Sequence, residues 1–258
     1  MATSAWARRR QLLYGGGLLF FFVLVIVPTI FFYVYEPPSC FDGKMNQTET
    51  DIDRGGPCTL LDARYLQPHA VLWSRSFPVR DGFYNAVAYI ENPNSHAGVK
   101  NAIYQFKLYD ERNILIAERF GQAPIVPEKV FPIFEGRIDT GNRIPVRTTF
   151  GFVNVFTWEK MVDETSGLRV RNERVSDLTT APRVSAELTN TTVAPVEDLV
   201  VIATLFDGKS NAFASARTVV ERIDAGETKT LVFTWPEPFT ANVARVDIIP
   251  LAARSATQ

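Results

Sequence analysis

Cys40 and Cys58 enclose the stretch CFDGKMNQTETDIDRGGPC, which holds the densest set of chemically useful side chains in the sequence. Asp42, Asn46, Glu49, Asp51 and Asp53 bring five oxygen-bearing groups into twelve residues. So many carboxylates repel one another unless they are solvated or share a cation. Ca²⁺, which accepts about six to eight oxygens in irregular geometry, is the ion that suits them. A solvated spacer is the alternative. The spacing is not that of an EF-hand: counted from Asp42, Lys44 stands where a ligand belongs and Gln47 where the glycine belongs. Gly43, Gly55 and Gly56 supply the turns that a tight wrap requires. Outside the cytoplasm, two cysteines this close form a disulfide. Closing the loop then stabilises it by roughly 3 kcal/mol in the chain-entropy account.

Little else points to chemistry. Only two histidines occur, His69 and His96, and each reads as a surface residue. A zinc site needs three or four ligands in one place, and a Ser/His/Asp triad needs an oriented histidine. No G-x-S-x-G elbow, Walker sequence or G-x-G-x-x-G pattern is present. Trp73, Trp158 and Trp235 read as core or sheet-edge residues. Asn46 (NQT) and Asn190 (NTT) fit the N-glycosylation pattern, which matters only in a secretory pathway that glycosylates. A net charge of -1 over 258 residues argues against nucleic acid as a partner. The expectation is therefore no catalytic residue and no cofactor beyond the candidate calcium. The sequence reveals no small-molecule ligand.

The element that positions this loop is an anchor. From Leu12 to Tyr35 no residue is charged, a length that spans a hydrocarbon layer of about 30 Å. Arg8, Arg9 and Arg10 precede the span, and Glu36 and Asp42 follow it. The positive-inside rule places Met1–Gln11 in the cytoplasm and the remainder outside, in the plasma membrane. Tyr14, Tyr33 and Tyr35 suit the interfacial belts, and Pro28 is tolerated within a membrane helix. A cleaved signal peptide would need a shorter apolar core and small residues at the cut. A lipoprotein would need small residues before Cys40, where Pro37-Pro38-Ser39 stand.

After Cys58 the chain breaks into short segments rich in Val, Ile, Phe, Tyr and Thr: 71–77, 85–91, 102–109, 114–120, 130–136 and 147–155, then 183–188, 199–206, 212–219, 228–234 and 245–249. Many short strands between turn signals predict β-sandwiches. The two series are copies of one unit. NAVAYIEN (85–92) matches RVSAELTN (183–190), and FKLYD (106–110) matches ATLFD (203–207), at nearly constant offset. The predicted fold is mainly β: one transmembrane helix, then two immunoglobulin-like sandwiches. Its boundaries are a cytoplasmic segment 1–11, a span 12–35, an acidic disulfide loop 36–60, sandwich 61–160, a polar linker 161–167 and sandwich 168–254. Residues 60–80, with Pro68 and Pro78, read as a lead-in, and Ser255–Gln258 as a disordered tail.

Two resemblances follow from these residues. Cys40, Asp42, Gly43, Asn46, Glu49, Asp53, Gly55, Gly56 and Cys58 resemble a cysteine motif of secreted and surface proteins, C-x-D-G-x-x-N-x-x-E…D-x-G-G-x-C. Arg54 departs from it, standing where the motif usually has cysteine. Phe106, Leu108, Tyr109 and Asp110 resemble the signature of the FxLYD family, small β-sandwich domains of bacterial surface and membrane proteins. The second copy departs from it at Ala203 and Phe206. The family implies a fold and a location and supplies no catalytic residues. The expected function is a membrane-anchored, non-enzymatic interaction or scaffold protein whose partner is another envelope or surface protein. The alternative is an envelope enzyme or a sensor subunit. Met1–Gln11 is too short to fold into an output domain of its own.

Overall fold

The computed structural model describes residues 3–34, 39–46 and 48–252. Tyr35, Glu36, Pro37, Pro38, Gln47 and the tail 255–258, on which some expectations fall, lie outside the described residues. The chain separates into two compact units, one ending at Cys58 and one beginning at Thr59.

In the first unit, α1 (Thr3–Val34) is a single helix that begins well before the uncharged stretch and includes the three arginines. Residues Trp6–Tyr33 are long and apolar enough to cross a membrane, and no part of that stretch is buried within the protein. A long helix with apolar residues on every side suits lipid rather than a protein core. Pro28 sits inside it and lacks an N–H to donate. Thr29 Oγ1 donates to the Val25 carbonyl at 2.7 Å.

Among the described residues the second unit holds thirteen strands. The first copy contains β1 (Ala70–Arg80), β2 (Phe83–Asn92), β3 (Ala97–Tyr109), β4 (Leu115–Ile125), β5 (Lys129–Asp139), β6 (Arg147–Phe152) and the short β7 (Glu159–Lys160). The second contains β8 (Leu168–Ser176), β9 (Arg183–Asn190), β10 (Val196–Phe206), β11 (Ala212–Ile223), β12 (Thr228–Thr234) and β13 (Arg245–Ala252). The sheets run β1-β2-β5 and β4-β3-β6 in one copy, with β7 paired to the start of β3, and β8-β9-β12 and β11-β10-β13 in the other. Strand for strand this is one topology used twice. Residues 70–80 are therefore the first strand of the first sandwich rather than a lead-in to it.

Local chemistry repeats as well. Asn92 and Asn190 are both buried. Asn92 donates its amide protons to the Ala97 and Val126 carbonyls. Asn190 donates its own to those of Ala194 and Ile223. Each side-chain oxygen accepts the backbone N–H two residues on, from Asn94 and Thr192. Asp110 accepts N–H groups from Arg112 and Ile114, and Asp207 from Lys209 and Asn211. Both hairpins then turn through a residue at positive φ, Asn113 at 59° and Ser210 at 61°. A short acceptor that bonds the backbone just ahead fixes such a turn.

The two sandwiches are stacked face to face. In β2 every residue from Ala86 to Ile90 is buried, and in β10 every residue from Val201 to Phe206. A strand buried on one face alternates, whereas a strand buried on both does not. Ala86, Ala88 and Ile90 fill the first sandwich, while Val87 and Tyr89 point the other way, onto Phe206 and Ala212 of the second. Trp73 stacks on Tyr89 with ring centres 4.5 Å apart, and Phe206 meets both edge-on at 6.3 Å. Asn85 Nδ2 donates to the Ser215 carbonyl at 3.1 Å. The segment 161–167 is pinned rather than loose: Lys129 Nζ donates to Asp163, to Thr165 and to the Pro250 carbonyl.

One glycine tests the packing of the first sandwich. A Cβ on Gly121 would lie 2.3 Å from the Tyr104 hydroxyl, which donates to Glu135 Oε1 at 2.8 Å. Gly121→Ala is expected to destabilise the body by about 1–3 kcal/mol through overpacking. The loss should shrink in a Tyr104→Ala background, where the clashing hydroxyl and the ring carbon 2.4 Å away are both gone. Urea unfolding of the four-member cycle measures this, and equal losses in both backgrounds would refute it.

Candidate functional site

The Cys40–Cys58 bond is formed, with Cα atoms 5.4 Å apart. Inside it the motif residues bond the loop to itself. Asp42 accepts N–H groups from Ser39 and Lys44 and the side-chain amide of Asn46. Asp53 accepts the N–H groups of Asp42 and Gly43. Glu49 is buried, with one oxygen accepting the Asn46 N–H and the other 3.1 Å from the disulfide sulfur of Cys58. Gly56, at φ 51°, turns so tightly that a Cβ would lie 2.5 Å from the Thr48 carbonyl oxygen.

The structure therefore links Asp42, Asn46, Glu49 and Asp53 through one hydrogen-bond network. Asp51 accepts the N–H of Ile52. The backbone donors at Ser39 and Lys44, then the Asn46 amide, hold the Asp42 carboxyl below its ordinary range. A group shifted in this way supports the fold above its unfolded pKa, and that support is lost as pH falls through its folded value. Cys40, Glu49 and Cys58 lie close enough to suggest a metal group, but both sulfurs are spent on the disulfide. The residues that could still hold a cation are Asp42, Asn46, Glu49 and Asp53, and the Asn46 Oδ1 atom is buried without a hydrogen-bond partner. Backbone N–H groups that donate to these carboxylates offset part of their mutual repulsion. Calorimetry on the purified chain is expected to show no heat with Ca²⁺ at millimolar concentration, the affinity range of extracellular calcium modules. A saturable heat, lost in Asp53→Asn, would make the loop a calcium site instead.

No known protein family matches the chain. No curated protein matches it either. Its likeness to solved structures is distant. Bacteroides uniformis beta-glucuronidase aligns at 11% identity and a TM-score of 0.20, over 67% of this chain and 22% of that one. Red sea bream transglutaminase aligns at 9% and 0.25, over 75% and 32%. The yeast delta-COP-I mu-homology domain, complexed with a Dsl1 peptide, aligns at 14% and 0.22, over 68% and 76%. At such scores none of the three bears on what this chain does.

Other residues singled out in the sequence fall as follows. Trp158 and Trp235 are buried, and Trp73 lies between the sandwiches. His96 is exposed. His69 is half-buried rather than on the surface, edge-on to Phe152 and Phe156 at 5.3 and 5.0 Å. Burial there lowers its pKa, which disfavours the charged form. Asn190 cannot accept a glycan in the folded chain, because both of its amide protons are bonded inside the second sandwich. Sequence reasoning missed an open groove of about 710 Å³ lined by Leu61, Leu66, Asn94, His96 and Met161. Its lining comes from three separate segments, and no local pattern joins them.

Proposed function

We propose that the chain is a single-pass membrane protein that holds its β-body outside the cytoplasm and works by binding another envelope or surface protein, without catalysis. The observation that carries this reading is the stretch Trp6–Tyr33 of α1, which is unburied, apolar beyond its first turns and carries Arg8, Arg9 and Arg10 near its N-terminal end. Arg10 lies 4.1 Å from the centre of the Trp6 ring, a pairing suited to the interfacial zone. Positive charge at this end favours a cytoplasmic N-terminus in the plasma membrane. The resemblance of Phe106, Leu108, Tyr109 and Asp110 to the FxLYD signature supports the location. Phe106 and Leu108 both face the first core, and Asp110 forms the hairpin turn.

The test is fractionation followed by proteolysis. Alkaline carbonate is expected to leave the full-length chain in the membrane pellet. Protease added to intact spheroplasts is expected to degrade everything beyond the helix. Release by carbonate would refute the anchor, and survival on intact spheroplasts would refute the orientation. Turnover of a substrate by the purified chain would refute the non-catalytic role.

A further inference from the structure

The Cys40–Cys58 loop is turned inside out. Among its described residues, Glu49 is buried and Asp42, Asp51 and Asp53 are half-buried. The large side chains that it leaves exposed are apolar or cationic: Phe41 at 86%, Met45 at 62% and Ile52 at 52%, with Lys44 and Arg54. A loop folded only for water would do the reverse, because a carboxylate is well solvated outside while Phe, Met and Ile gain by burial.

The hydrogen bonds of the loop gather these apolar residues around Asp42. The Asp42 N–H donates to Asp53 at 3.2 Å, so Phe41 and Ile52, each one residue earlier, flank the same bond. The Lys44 N–H and the Asn46 side-chain amide both donate to the Asp42 carboxyl, which places Met45 between two bonded residues. The disulfide holds the two ends of the loop together.

Chain length says what covers this surface. Helix α1 ends at Val34, and Cys40 follows six residues later in the same compact unit. Six residues reach at most about 22 Å when fully extended. The polar zone on one side of a bilayer is about 5–8 Å deep. A helix that spans the bilayer therefore keeps the loop beside the lipid headgroups, at high effective concentration. Lipid phosphate is the charge that Lys44 and Arg54 complement, and long basic side chains reach it while their stems lie on apolar surface.

We infer that the loop is a second membrane contact. Phe41, Met45 and Ile52 enter the boundary between headgroups and acyl chains, and Lys44 and Arg54 bind lipid phosphates, as in other interfacial segments. The inference rests on the anchor proposed above and adds a contact to it. The carboxylates, bonded inward to the backbone, are what turn the apolar residues out.

The probe is an added indole. Full-length Phe41→Trp, in a Trp6→Phe background, is reconstituted in vesicles of phosphatidylcholine and phosphatidylglycerol with brominated acyl chains. Trp73, Trp158 and Trp235 remain, and the Trp6→Phe parent measures their baseline. The bromines are expected to quench most of the emission that Phe41→Trp adds. Met45→Asp with Ile52→Asp should restore it. Lys44→Glu with Arg54→Glu, which leaves the apolar residues in place, should restore part of it. Non-reducing mass analysis of alkylated chains shows whether the Cys40–Cys58 bond forms in each variant. Flotation of the same vesicles after alkaline carbonate separates the two readings. A chain that floats with an unquenched indole, or with quenching that neither pair of substitutions changes, overturns the inference and leaves the anchor standing. A chain that carbonate releases overturns the anchor and the loop contact with it.

Discussion

Val87→Arg is expected to split the single thermal transition of the β-body into two. Val87 is fully buried, but on the side of β2 that faces the second sandwich, against Phe206 and Ala212. Its neighbours Ala86 and Ala88 face the core of the first sandwich and are untouched by the change. A guanidinium at this position would be buried in an apolar cluster, at a cost of several kcal/mol. The sandwiches can avoid that cost by separating, because each keeps its own core. Calorimetry of the full chain in micelles should then resolve two transitions, with new protease sensitivity in 161–167. A single transition at the parental temperature would show that Val87 is not held between the two sandwiches.

That double burial was written in the sequence, although period-two reasoning hides it. AVAYI is an unbroken apolar run and VVIATLF is interrupted only by Thr204, whereas TKTLVF alternates. The first two belong to strands covered on both faces, and the third to β12, an edge strand of an outer sheet. Strand β8 (LRVRNERVS) escaped notice because charged and polar side chains cover most of its positions and one face of it is solvent. The repeat, by contrast, was legible, because its markers are the residues that bond the backbone. Asn92 and Asn190 each tie two carbonyls together, and Asp110 and Asp207 each close a hairpin. Asn190 was open to a false reading for the same reason. A sequon records only three residues, while burial depends on strands that lie far apart in the chain.

The acidic loop teaches a related lesson. Composition shows five oxygen-bearing residues and suggests a cation. Geometry shows what they accept: backbone N–H groups within the same loop, for Asp42, Glu49, Asp51 and Asp53 alike. Whether a carboxylate bonds a metal or a main chain depends on turn geometry, here on Gly55 and Gly56 at φ 74° and 51°. The sequence displayed the carboxylates of the loop and left their hydrogen-bond partners open.

The two copies fill their cores differently, and Phe106 measures the difference. Its ring is fully buried and sits 4.9 Å from Phe150 and 5.8 Å from Tyr104. Phe106→Ala removes that ring from a core held by strands on both sides, so collapse into the space is limited. The expected loss is about 3–5 kcal/mol. The second copy carries Ala203 at the same position, equally buried, in a core that includes Phe233 and Trp235. Ala203→Phe would therefore force a ring into filled space, at a cost of about 1–3 kcal/mol or more. Restoring the signature in the second copy should weaken the protein, even though the topology there is the same. Because the stack joins the copies, both losses should appear in the one transition of the whole body, read by urea unfolding at equilibrium. A Phe106→Ala variant with an unchanged midpoint would mean that the first core is held elsewhere, and the signature residue would then be incidental to the fold.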